Sequence, residues 1–461
     1  MGYTLNQKWE AFKQKITGKT VALLGAGISN RPLIPLFADL GAKVTVCDKN
    51  ESIDRETLSE GRDIQFRLGD EYLSLVGFDY IFKSPGMRYD LPELIDARKN
   101  GSIVTSEMEV FMDLCEAQVI GVTGSDGKTT TTTLIYKILS EQGYRCWLGG
   151  NIGTPLLSKM EQITPEDKVV LELSSFQLHT MTKSPQIAVV TNLSPNHLDM
   201  HKSYEEYIDA KKHIFLYQQP EDRLVLNLDN TVTRSFDGQS KGEVCVFSRR
   251  ERVGHGVYCT DGSLVSTLGD SEAEVMKKDD IIIPGDHNIE NYMAAIAATA
   301  GMVDAESVRQ VARTFRGAEH RNEFVRKING VSYYNSSIDS SPNRTKATLS
   351  VFDKKVILIA GGKDKGIPYD AIGPVIVERV KYLILIGKTG PKILEAVTSA
   401  GGNVPYVFCN TYQEAVETAA NVAQAGDNVV LSPASTSFDM FQNFEERGNI
   451  FKKYVNQLFA K

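Results

Sequence analysis

The segment with the clearest chemistry lies between residues 118 and 130, where an apolar run ends in a glycine turn and a Lys-Thr-Thr triplet. Such a run is typical of a buried strand, and the Thr-rich stretch after it is typical of a helix. In a strand, turn and helix of this kind, backbone N–H groups and the positive helix end bind phosphates, a lysine reaches the outer phosphates and a hydroxyl holds Mg²⁺. Val122 stands where the strict motif has glycine, so the loop is a variant. The segment predicts ATP-type binding by Gly124, Ser125, Asp126, Gly127, Lys128, Thr129 and Thr130.

Two further candidates follow later strand-like runs. Glu172 ends the apolar run 169–171, where the metal-binding acid of a phosphate-loop enzyme is expected, although a solvated acid at a strand end is the alternative. His197 follows the run 187–192, and a lone histidine there is more often structural than a metal ligand. Both residues are therefore candidates for metal binding that need support from elsewhere in the chain.

The first hundred residues alternate apolar, β-branched runs (20–27, 43–48 and 79–86) with polar stretches. This alternation predicts a doubly wound α/β unit that binds its ligand at the carboxyl ends of the strands. Gly25-Ala26-Gly27 opens a dinucleotide fingerprint, but Asn30 replaces its third glycine. Both NAD and a nucleotide without nicotinamide remain possible.

A chain of 461 residues predicts about three domains. The hairpin signal Asn329-Gly330 near the start of the last third is followed by further strand-like runs, and short β runs between 242 and 283 predict an antiparallel patch. We therefore expect an α/β protein with a Rossmann-like N-terminal domain, a central phosphate-loop domain carrying that patch, and a Rossmann-like C-terminal domain. The predicted boundaries are 1–106, 107–317 and 318–461.

Composition narrows the classes of partner. Lys and Arg number 51 against 58 Asp and Glu, a net charge of −7, which argues against nonspecific binding to nucleic acid or to anionic membranes. Residues 1–15 are polar and no apolar run has the length of a membrane span, so we expect a cytoplasmic protein. The six cysteines form no CxxC pair, which favours buried thiols over disulfides or a zinc site.

Eight motifs occur in an order that resembles the Mur ligases, the ATP-dependent amide ligases of peptidoglycan assembly. The resemblance covers nearly the whole chain, and the LELSSFQL and SPAS strings look like the member that adds D-glutamate. The motifs are TGSDGKTT from Thr123, GGNIGTP from Gly149, LELSSFQL from Leu171, NHLD from Asn196, DHNIEN from Asp286, EHRNE from Glu319, GGKDKG from Gly361 and SPASTSFDMFQNFEERG from Ser432.

The resemblance implies a reaction of three substrates: ATP, UDP-N-acetylmuramoyl-L-alanine and D-glutamate. The γ-phosphoryl group of ATP goes to the acceptor carboxylate, and the amine of D-glutamate then displaces phosphate from the acyl phosphate. Two anions must approach one another, and at an effective dielectric of about 20 a unit charge pair 4 Å apart interacts by roughly 4 kcal/mol. The family accordingly uses two Mg²⁺ ions as well as cationic side chains. We expect a monomer.

By the same resemblance, Lys128 and Thr129 serve the phosphates and the first Mg²⁺, which Glu172 also holds. His197 holds the second ion, and Asn151 lies near the reacting groups. The family's Ala-Lys pair implies a carbamate on Lys211, formed from CO₂, that helps to hold the second ion. Lys212 is adjacent, so the register of this assignment is open by one residue, and from sequence alone either lysine reads as a solvated helix charge.

The remaining assignments fall into three groups. Asn288 and Asn291 match the family's adenine contacts, and Arg321 matches an arginine that reaches the γ-phosphate from the last domain. Lys365, Ser437 and Phe444 match positions that hold D-glutamate. The positions assigned to the UDP substrate are Gly27, Ile28, Ser29, Asp48, Ser84, Pro85 and Gly86.

One departure from the family pattern concerns the ribose of ATP. Ser336 stands where the family has a ribose-binding aspartate, and Asp339 is a possible substitute. The alternatives are another Mur or folylpolyglutamate-type ligase with a different amino acid, a phosphate-loop switch that turns over nucleotide without ligation, and an NAD-dependent oxidoreductase.

Overall fold

The computed structural model describes residues 6–195, 201–364 and 366–459 and contains three β-sheets. The predicted α/β class is confirmed. The first sheet is parallel, with the strand order β3-β2-β1-β4-β5. Its strands are Thr20–Leu24 (β1), Lys43–Asp48 (β2), Gln65–Leu68 (β3), Tyr80–Lys83 (β4) and Ile103–Thr105 (β5). The helices of this part are Gln7–Ile16 (α1), Leu33–Asp39 (α2), Arg55–Ser59 (α3), Pro92–Lys99 (α4) and Glu107–Leu114 (α5).

The second sheet has nine strands in the order β14-β13-β12-β11-β10-β9-β6-β8-β7. These strands are Gln118–Thr123 (β6), Cys146–Gly150 (β7), Lys168–Glu172 (β8), Ile187–Val190 (β9), Arg223–Asn227 (β10), Glu243–Ser248 (β11), Gly256–Thr260 (β12), Ser263–Ser266 (β13) and Ala273–Lys277 (β14). The predicted antiparallel patch comprises β12 to β14, whereas β11 and its pairing with β12 extend the parallel part of the sheet. The accompanying helices are Lys128–Glu141 (α6), Ser175–Leu178 (α7), Tyr204–Lys212 (α8), Thr231–Arg234 (α9), Asp286–Thr299 (α10) and Ala305–Thr314 (α11).

The third sheet has the order β15-β16-β20-β17-β18-β19 and is parallel except for the β15–β16 hairpin, which turns at Asn329-Gly330 as predicted. Its strands are Glu323–Ile328 (β15), Val331–Asn335 (β16), Val356–Ala360 (β17), Val380–Ile386 (β18), Tyr406–Cys409 (β19) and Asn428–Leu431 (β20). Its helices are Pro342–Leu349 (α12), Gly373–Arg379 (α13), Gly390–Ser399 (α14), Tyr412–Val422 (α15) and Phe444–Gln457 (α16).

Packing divides the chain into two compact units. The first unit comprises Met1–Asp280 with Ile289–Val311 and holds the first two sheets, and the second comprises Ile281–Asn288 with Ala312–Lys461 and holds the third. The sheets fall inside the three predicted segments, whose exact boundaries stay a prediction. No helix within the described ranges combines the length and the apolar character that a membrane span requires.

Strand order explains where ligands can bind. In the second sheet β6 lies between β8 and β9. The chain continues from β6 to β7 and β8 on one side, and then crosses to β9 on the other side. Because parallel strands end at the same edge, the segments after β6, β8 and β9 meet there and form the crevice at which α/β sheets bind ligands. The first sheet has the same kind of crevice between β1 and β4, and the third sheet has one between β17 and β20.

Candidate active site

The phosphate loop joins the buried strand β6 to α6, which begins at Lys128. Gly124 and Gly127 have φ angles of 149° and 78°, and Gly127 caps the helix. A Cβ on Gly124 would lie 1.9 Å from Thr191 Oγ1, and one on Gly127 would lie 2.4 Å from Asn291 Oδ1. Both backbone conformation and crowding therefore require glycine at these two positions.

Side chains and backbone from the end of β9 hold this loop in place. Ser125 N donates to Asn192 O at 2.8 Å, and Asp126 N donates to Asn192 Oδ1 at 2.9 Å. Thr191 Oγ1 donates to Asp126 O at 2.6 Å. On the other side, Ser125 Oγ lies 2.9 Å from Tyr207 Oη of α8. The loop is thus fixed by two neighbouring segments before any ligand binds.

The helix that follows the loop tolerates its run of threonines because of local hydrogen bonds. Thr132 Oγ1 donates to Lys128 O at 2.8 Å and Thr133 Oγ1 donates to Thr129 O at 2.7 Å, so both hydroxyls are satisfied by the preceding turn. The Lys128 amine folds over the loop, where it donates to Gly124 O at 3.0 Å and Ser125 O at 2.9 Å. Lys128 therefore lies directly above the peptide groups that would surround a phosphate.

Glu172 at the end of β8 is almost fully buried, with 2% of its surface exposed, and it receives two side-chain hydrogen bonds. Thr129 Oγ1 donates to Glu172 Oε2 at 2.6 Å, and Asn151 Nδ2 donates to Oε1 at 2.7 Å. The structure thus brings together three predicted site residues from three different segments. A hydroxyl and a carboxylate at the start of the phosphate-binding helix are the hard oxygen donors that Mg²⁺ prefers, so this pair fits the ion.

Lys211 lies on the last turn of α8 with only 2% of its surface exposed. Its Nζ donates to Thr123 Oγ1 at 3.0 Å and lies 4.9 Å from the centre of the Tyr207 ring. Burial, and then the positive charge of Lys128, hold the pKa of Lys211 well below its usual range. The next residue differs, since Lys212 is partly exposed and pairs with Asp209 at 3.4 Å.

Three of the other predicted ATP-binding residues lie in the described part of the chain. Asn291 Oδ1 accepts a hydrogen bond from Thr131 Oγ1 of α6 at 3.1 Å, so Asn291 lies beside the phosphate loop in the first unit. Asn288 belongs to the second unit, where its Nδ2 donates to Pro284 O at 2.6 Å. Thr130 is half-buried in the first turn of α6. His197 lies outside the described residues.

The predicted UDP-substrate residues converge at the crevice of the first sheet. Asp48 at the end of β2 accepts a hydrogen bond from Ala26 N at 2.8 Å, so it closes the glycine turn after β1. Ser84 follows the neighbouring strand β4, and its N donates to Leu24 O at 3.0 Å. In the turn after β1, Gly27, Ile28 and Ser29 are exposed or half-buried. Pro85 and Gly86, which follow β4, are exposed or half-buried as well.

Asn30 explains why the dinucleotide fingerprint is incomplete. Its side chain is buried, and its Nδ2 lies 3.1 Å from both Leu24 O and Gly25 O and 3.2 Å from Phe82 O. The amide therefore links the ends of β1 and β4. A glycine at this position would lack these contacts, so the departure from the fingerprint has a structural cause.

In the second unit, Arg321 lies in a tight turn between two residues with left-handed backbones, His320 at φ 61° and Asn322 at φ 45°. His320 is buried, and its pKa is lowered chiefly by that burial. Its Nδ1 lies 3.0 Å from Asn335 Nδ2, while Lys452 Nζ pairs with Glu323 Oε1 at 3.0 Å at the base of the turn. This network fixes the backbone on both sides of Arg321.

Ser336, which replaces the family's aspartate, is fully buried and its Oγ accepts a hydrogen bond from Asn322 N at 3.2 Å. Asp339 is also buried, and its carboxylate accepts hydrogen bonds from Thr348 Oγ1 and Ser432 Oγ, both at 2.7 Å. Burial raises the pKa of Asp339. Its carboxylate is thus committed to hydrogen bonds within the unit.

Two of the three residues predicted to bind D-glutamate, Ser437 and Phe444, lie in the described part of the chain. Ser437 is buried in the segment after β20, and its carbonyl accepts hydrogen bonds from Met440 N and Phe441 N. Phe444 begins α16, half-buried, with its ring centre 5.8 Å from that of His320. Lys365 lies outside the described residues.

An ion-pair network near Ser84-Pro85-Gly86 was not predicted from the sequence. Arg88 Nε donates to Asp90 Oδ1 at 2.7 Å and Arg88 Nη2 donates to Glu206 Oε1 at 3.0 Å. Glu206 lies on α8, the helix of Lys211, and it is 118 residues from Arg88 along the chain. No local pattern marks a pair at such a separation. The network links the segment after Ser84-Pro85-Gly86, which is predicted to bind the UDP substrate, to α8, the helix that carries Lys211.

Comparison with known proteins identifies the family of the chain. The Mur ligase middle domain matches residues 122–299, and the Mur ligase glutamate ligase domain matches residues 320–435. The UDP-N-acetylmuramoylalanine–D-glutamate ligase of Acetivibrio thermocellus is 58% identical over 99% of this chain and 100% of its own length. The enzyme of the same name from Ruminiclostridium cellulolyticum is 54% identical over 98% of this chain and 100% of its own length.

A solved structure supports the fold as well. The UDP-N-acetylmuramate–alanine ligase of Thermotoga maritima superposes with a TM-score of 0.57 at 17% identity, over 95% of this chain and 99% of that one. At this identity the likeness concerns the fold alone, whereas the two full-length relatives establish membership. The chain belongs to the Mur ligase family and groups with its UDP-N-acetylmuramoylalanine–D-glutamate ligases.

Proposed function

We propose that this chain is an ATP-dependent ligase that joins D-glutamate to UDP-N-acetylmuramoyl-L-alanine in the synthesis of peptidoglycan precursors. ATP is cleaved to ADP and phosphate, and an acyl phosphate of the acceptor is the intermediate. The observation that carries the proposal is the 58% identity, along both full lengths, to a ligase named for D-glutamate. The phosphate loop, Glu172 and Lys211 supply the chemistry at one crevice.

The phosphate loop would bind the ATP phosphates and orient the γ-phosphoryl group. The first turn of α6 directs N–H groups and the positive helix end toward the loop. Lys128 Nζ, which now donates to two loop carbonyls, would exchange them for phosphate oxygens without moving far. A fixed loop costs little reorganisation when charge develops on the transferred group, which is the main source of catalysis in phosphoryl transfer.

Thr129 and Glu172 would hold the first Mg²⁺, and the fit rests on their adjacent oxygen atoms. Bound there, the ion would neutralise charge on the phosphate oxygens. Asn151 donates to the other oxygen of Glu172 and thereby orients the carboxylate. A second ion, held by His197 and modified Lys211, is part of the proposal.

Lys211 is proposed to carry the carbamate. A lysine must be neutral to attack CO₂, and burial beside Lys128 favours the neutral amine. The Nζ lone pair of the neutral amine would form the N–C bond, one proton would leave for solvent, and the side chain would become an anionic carbamate. The partial exposure of Lys212 and its ion pair with Asp209 support Lys211 as the modified residue.

The other substrates are assigned by resemblance and by local geometry. The crevice of the first sheet, with Asp48 and Ser84 at its edges, would bind the uridine diphosphate. Asn288 and Asn291 would contact adenine, and Arg321 the γ-phosphate. Ser437, Phe444 and Lys365 would bind D-glutamate, whose two carboxylates suit a lysine. We further propose that the enzyme is a cytoplasmic monomer.

Phosphate release with substrate omission tests this proposal. Release should require ATP, Mg²⁺, UDP-N-acetylmuramoyl-L-alanine and D-glutamate together, and L-glutamate should be a poor substitute. A panel of amino acids gives the specificity: equal rates with L-lysine, L-alanine or meso-diaminopimelate would overturn the assignment of D-glutamate. Turnover that needs no amino acid would instead indicate a nucleotide switch.

A further inference from the structure

Three potential metal ligands meet on the second sheet, outside the site described above. Glu243 and Cys245 are two residues apart on β11, so they lie on the same face of the strand. His255 directly precedes β12, which pairs in parallel with β11 starting at Val246 and Gly256. His255 is therefore beside Cys245 across the two strands. The spacing in sequence resembles no CxxC or HxxxH pattern, so only the sheet register reveals this cluster.

The ligand atoms of this cluster converge on one point. His255 Nε2 lies 3.5 Å from Cys245 Sγ and 2.8 Å from Glu243 Oε1, and all three atoms lie within 4.8 Å of one another. Zinc binds sulfur at about 2.3 Å and imidazole nitrogen at about 2.0 Å, which at a tetrahedral angle separates the two ligand atoms by about 3.5 Å. The observed distance between Sγ and Nε2 equals this separation.

A neighbouring arginine orients the carboxylate. Arg223 Nε donates to Glu243 Oε2 at 2.9 Å, and Arg223 Nη1 donates to Ala300 O at 3.0 Å. Arg223 thus occupies one carboxylate oxygen and leaves Oε1 directed at His255. Hydrogen bonds to the second oxygen of a ligating carboxylate are the usual support for a metal site, because they fix the ligand before the ion arrives.

The cluster is also accessible to an ion from solvent. The Cys245 residue is fully buried, whereas the side chains of Glu243 and His255 are 43% and 49% exposed. The sulfur would lie on the protein side of the ion and the open fourth position would face water. A set of one thiolate, one imidazole and one carboxylate suits soft or borderline transition ions and disfavours Mg²⁺, which prefers oxygen ligands.

We propose that Glu243, Cys245 and His255 form a binding site for a divalent transition ion of the zinc class, separate from the magnesium site of the phosphate loop. Binding forms one bond each from sulfur, nitrogen and oxygen to the ion. The cysteine thiol releases its proton to solvent, and water completes the coordination. The ion would cross-link β11 to β12.

Cobalt titration tests the site with a spectroscopic readout that does not depend on ligase activity. Co²⁺ is added to the full-length protein in the presence of excess Mg²⁺, and the sulfur-to-cobalt charge-transfer absorption is recorded. One equivalent should develop the band, and Zn²⁺ should remove it. Cys245→Ser should abolish the band. Cys146→Ser, at a partly buried cysteine outside the cluster, is the matched control and should retain it.

A second variant guards against misfolding of Cys245→Ser. His255→Gln changes a half-exposed side chain and should weaken Co²⁺ binding at least tenfold, while ATP-dependent phosphate release without added Co²⁺ or Zn²⁺ stays at the wild-type rate. Absence of the band in the wild-type protein would overturn the proposal, and so would an unchanged band in either the Cys245→Ser or the His255→Gln protein.

Discussion

Lys211 in the first unit and Arg447 in the second are both long cationic side chains with at most 2% of their surface exposed, yet their surroundings differ. Arg447 Nε donates to Ser337 Oγ at 2.9 Å, Nη2 to Ser337 O at 2.8 Å and Nη1 to Ser435 O at 3.0 Å. Lys211 donates to one hydroxyl, Thr123 Oγ1. Three hydrogen bonds fix the guanidinium, whereas the lysine amine has far less compensation for its burial.

The contrast is consistent with a structural role for Arg447 and with the reactive role proposed for Lys211. Arg447 keeps its charge and joins α16 to the segments after β16 and β20, so it holds the second unit together. Lys211 faces the positive Lys128, and a lysine can lose its proton where an arginine cannot. Buried ionisable groups with poor compensation are concentrated at functional sites. The two buried side chains, which composition alone would treat alike, therefore differ in how well their burial is compensated by hydrogen bonds.

The largest expected effect is on stability, at Arg447. Arg447→Met removes the donors from two buried carbonyls and should destabilise the second unit by about 3–5 kcal/mol. Arg447→Lys should recover only part of this loss of stability, because an ammonium group cannot reproduce the planar arrangement of guanidinium donors. Both tryptophans, Trp9 and Trp147, lie in the first unit, so circular dichroism should report the loss more strongly than tryptophan fluorescence during urea unfolding.

A matched control for Arg447 is Arg379→Met, at a surface arginine that pairs with Glu378. This change should alter the unfolding free energy by less than about 0.5 kcal/mol. An Arg447→Met protein as stable as Arg379→Met would remove the structural half of the comparison.

The second expected effect is on turnover, at Lys211. Lys211→Ala should lower kcat about 10² to 10³-fold, the range seen when one charge-stabilising group is removed from an active site. Its unfolding free energy should stay the same or rise, because a buried amine with poor hydrogen-bond compensation is lost. Short carboxylic acids should restore part of the activity by replacing the carbamate. Steady-state kinetics and urea unfolding measure both quantities.

Lys212→Ala is the control for Lys211, since it changes the same helix at a partly exposed position. It should retain near wild-type kcat and show no rescue. Rescue of Lys212→Ala by carboxylic acids, with Lys211→Ala unaffected, would show that the register is wrong.

A buried acid extends the comparison to the opposite charge. Burial raises the pKa of Glu107, at the start of α5, to about 7 from an ordinary value of 4.5. The folded state therefore binds the proton more tightly than the unfolded state, so this contribution to stability is greatest below pH 4.5 and falls as pH rises to about 7. The free energy of unfolding of Glu107→Gln should exceed that of the wild type by up to roughly 3 kcal/mol at pH 8.

Tryptophan fluorescence during urea unfolding at pH 5 and pH 8 measures this difference, because Glu107 and both tryptophans share the first unit. The two proteins should be close in stability at pH 5. A difference that is the same at both pH values would mean that burial of Glu107 is compensated in the folded protein, as it is for Arg447.

The smallest expected effect concerns how α8 is positioned. Arg88 and Glu206 form a partly buried pair, and α8 carries both Glu206 and Lys211. A double-mutant cycle with Arg88→Gln and Glu206→Gln should give a coupling free energy of about 0.5–1 kcal/mol. Each single change should raise KM for UDP-N-acetylmuramoyl-L-alanine more than KM for ATP. Zero coupling with unchanged KM values would limit the network to a surface role.

Much of the fold could be predicted because the apolar runs are contiguous. The run before the phosphate loop, the hairpin at Asn329-Gly330 and the helix after Lys128 all occur where periodicity and turn residues indicated them. The strand β7 was missed, since its Cys-Trp-Leu-Gly-Gly sequence has no β-branched residue. Short edge strands such as β5 were missed because three residues carry no periodicity.

The site was less accessible to sequence reasoning, for a physical reason. Local motifs identify the loop, but which of two adjacent lysines faces the site depends on the rotation of α8 against the sheet. Arg447, Arg88 and Glu206 have partners more than a hundred residues away, and the cluster of Glu243, Cys245 and His255 exists only through strand register. Long-range pairing of this kind leaves no trace in local spacing.

Oxygen transfer from a labelled acceptor tests the central claim most directly. The UDP-N-acetylmuramoyl-L-alanine carboxylate is labelled with ¹⁸O, and the phosphate released with ATP and D-glutamate is analysed by mass spectrometry. An acyl-phosphate ligase leaves an acceptor oxygen on the phosphate, so the released phosphate should carry ¹⁸O and its amount should equal the amide formed. Unlabelled phosphate would show that water attacks ATP and would contradict the ligase mechanism.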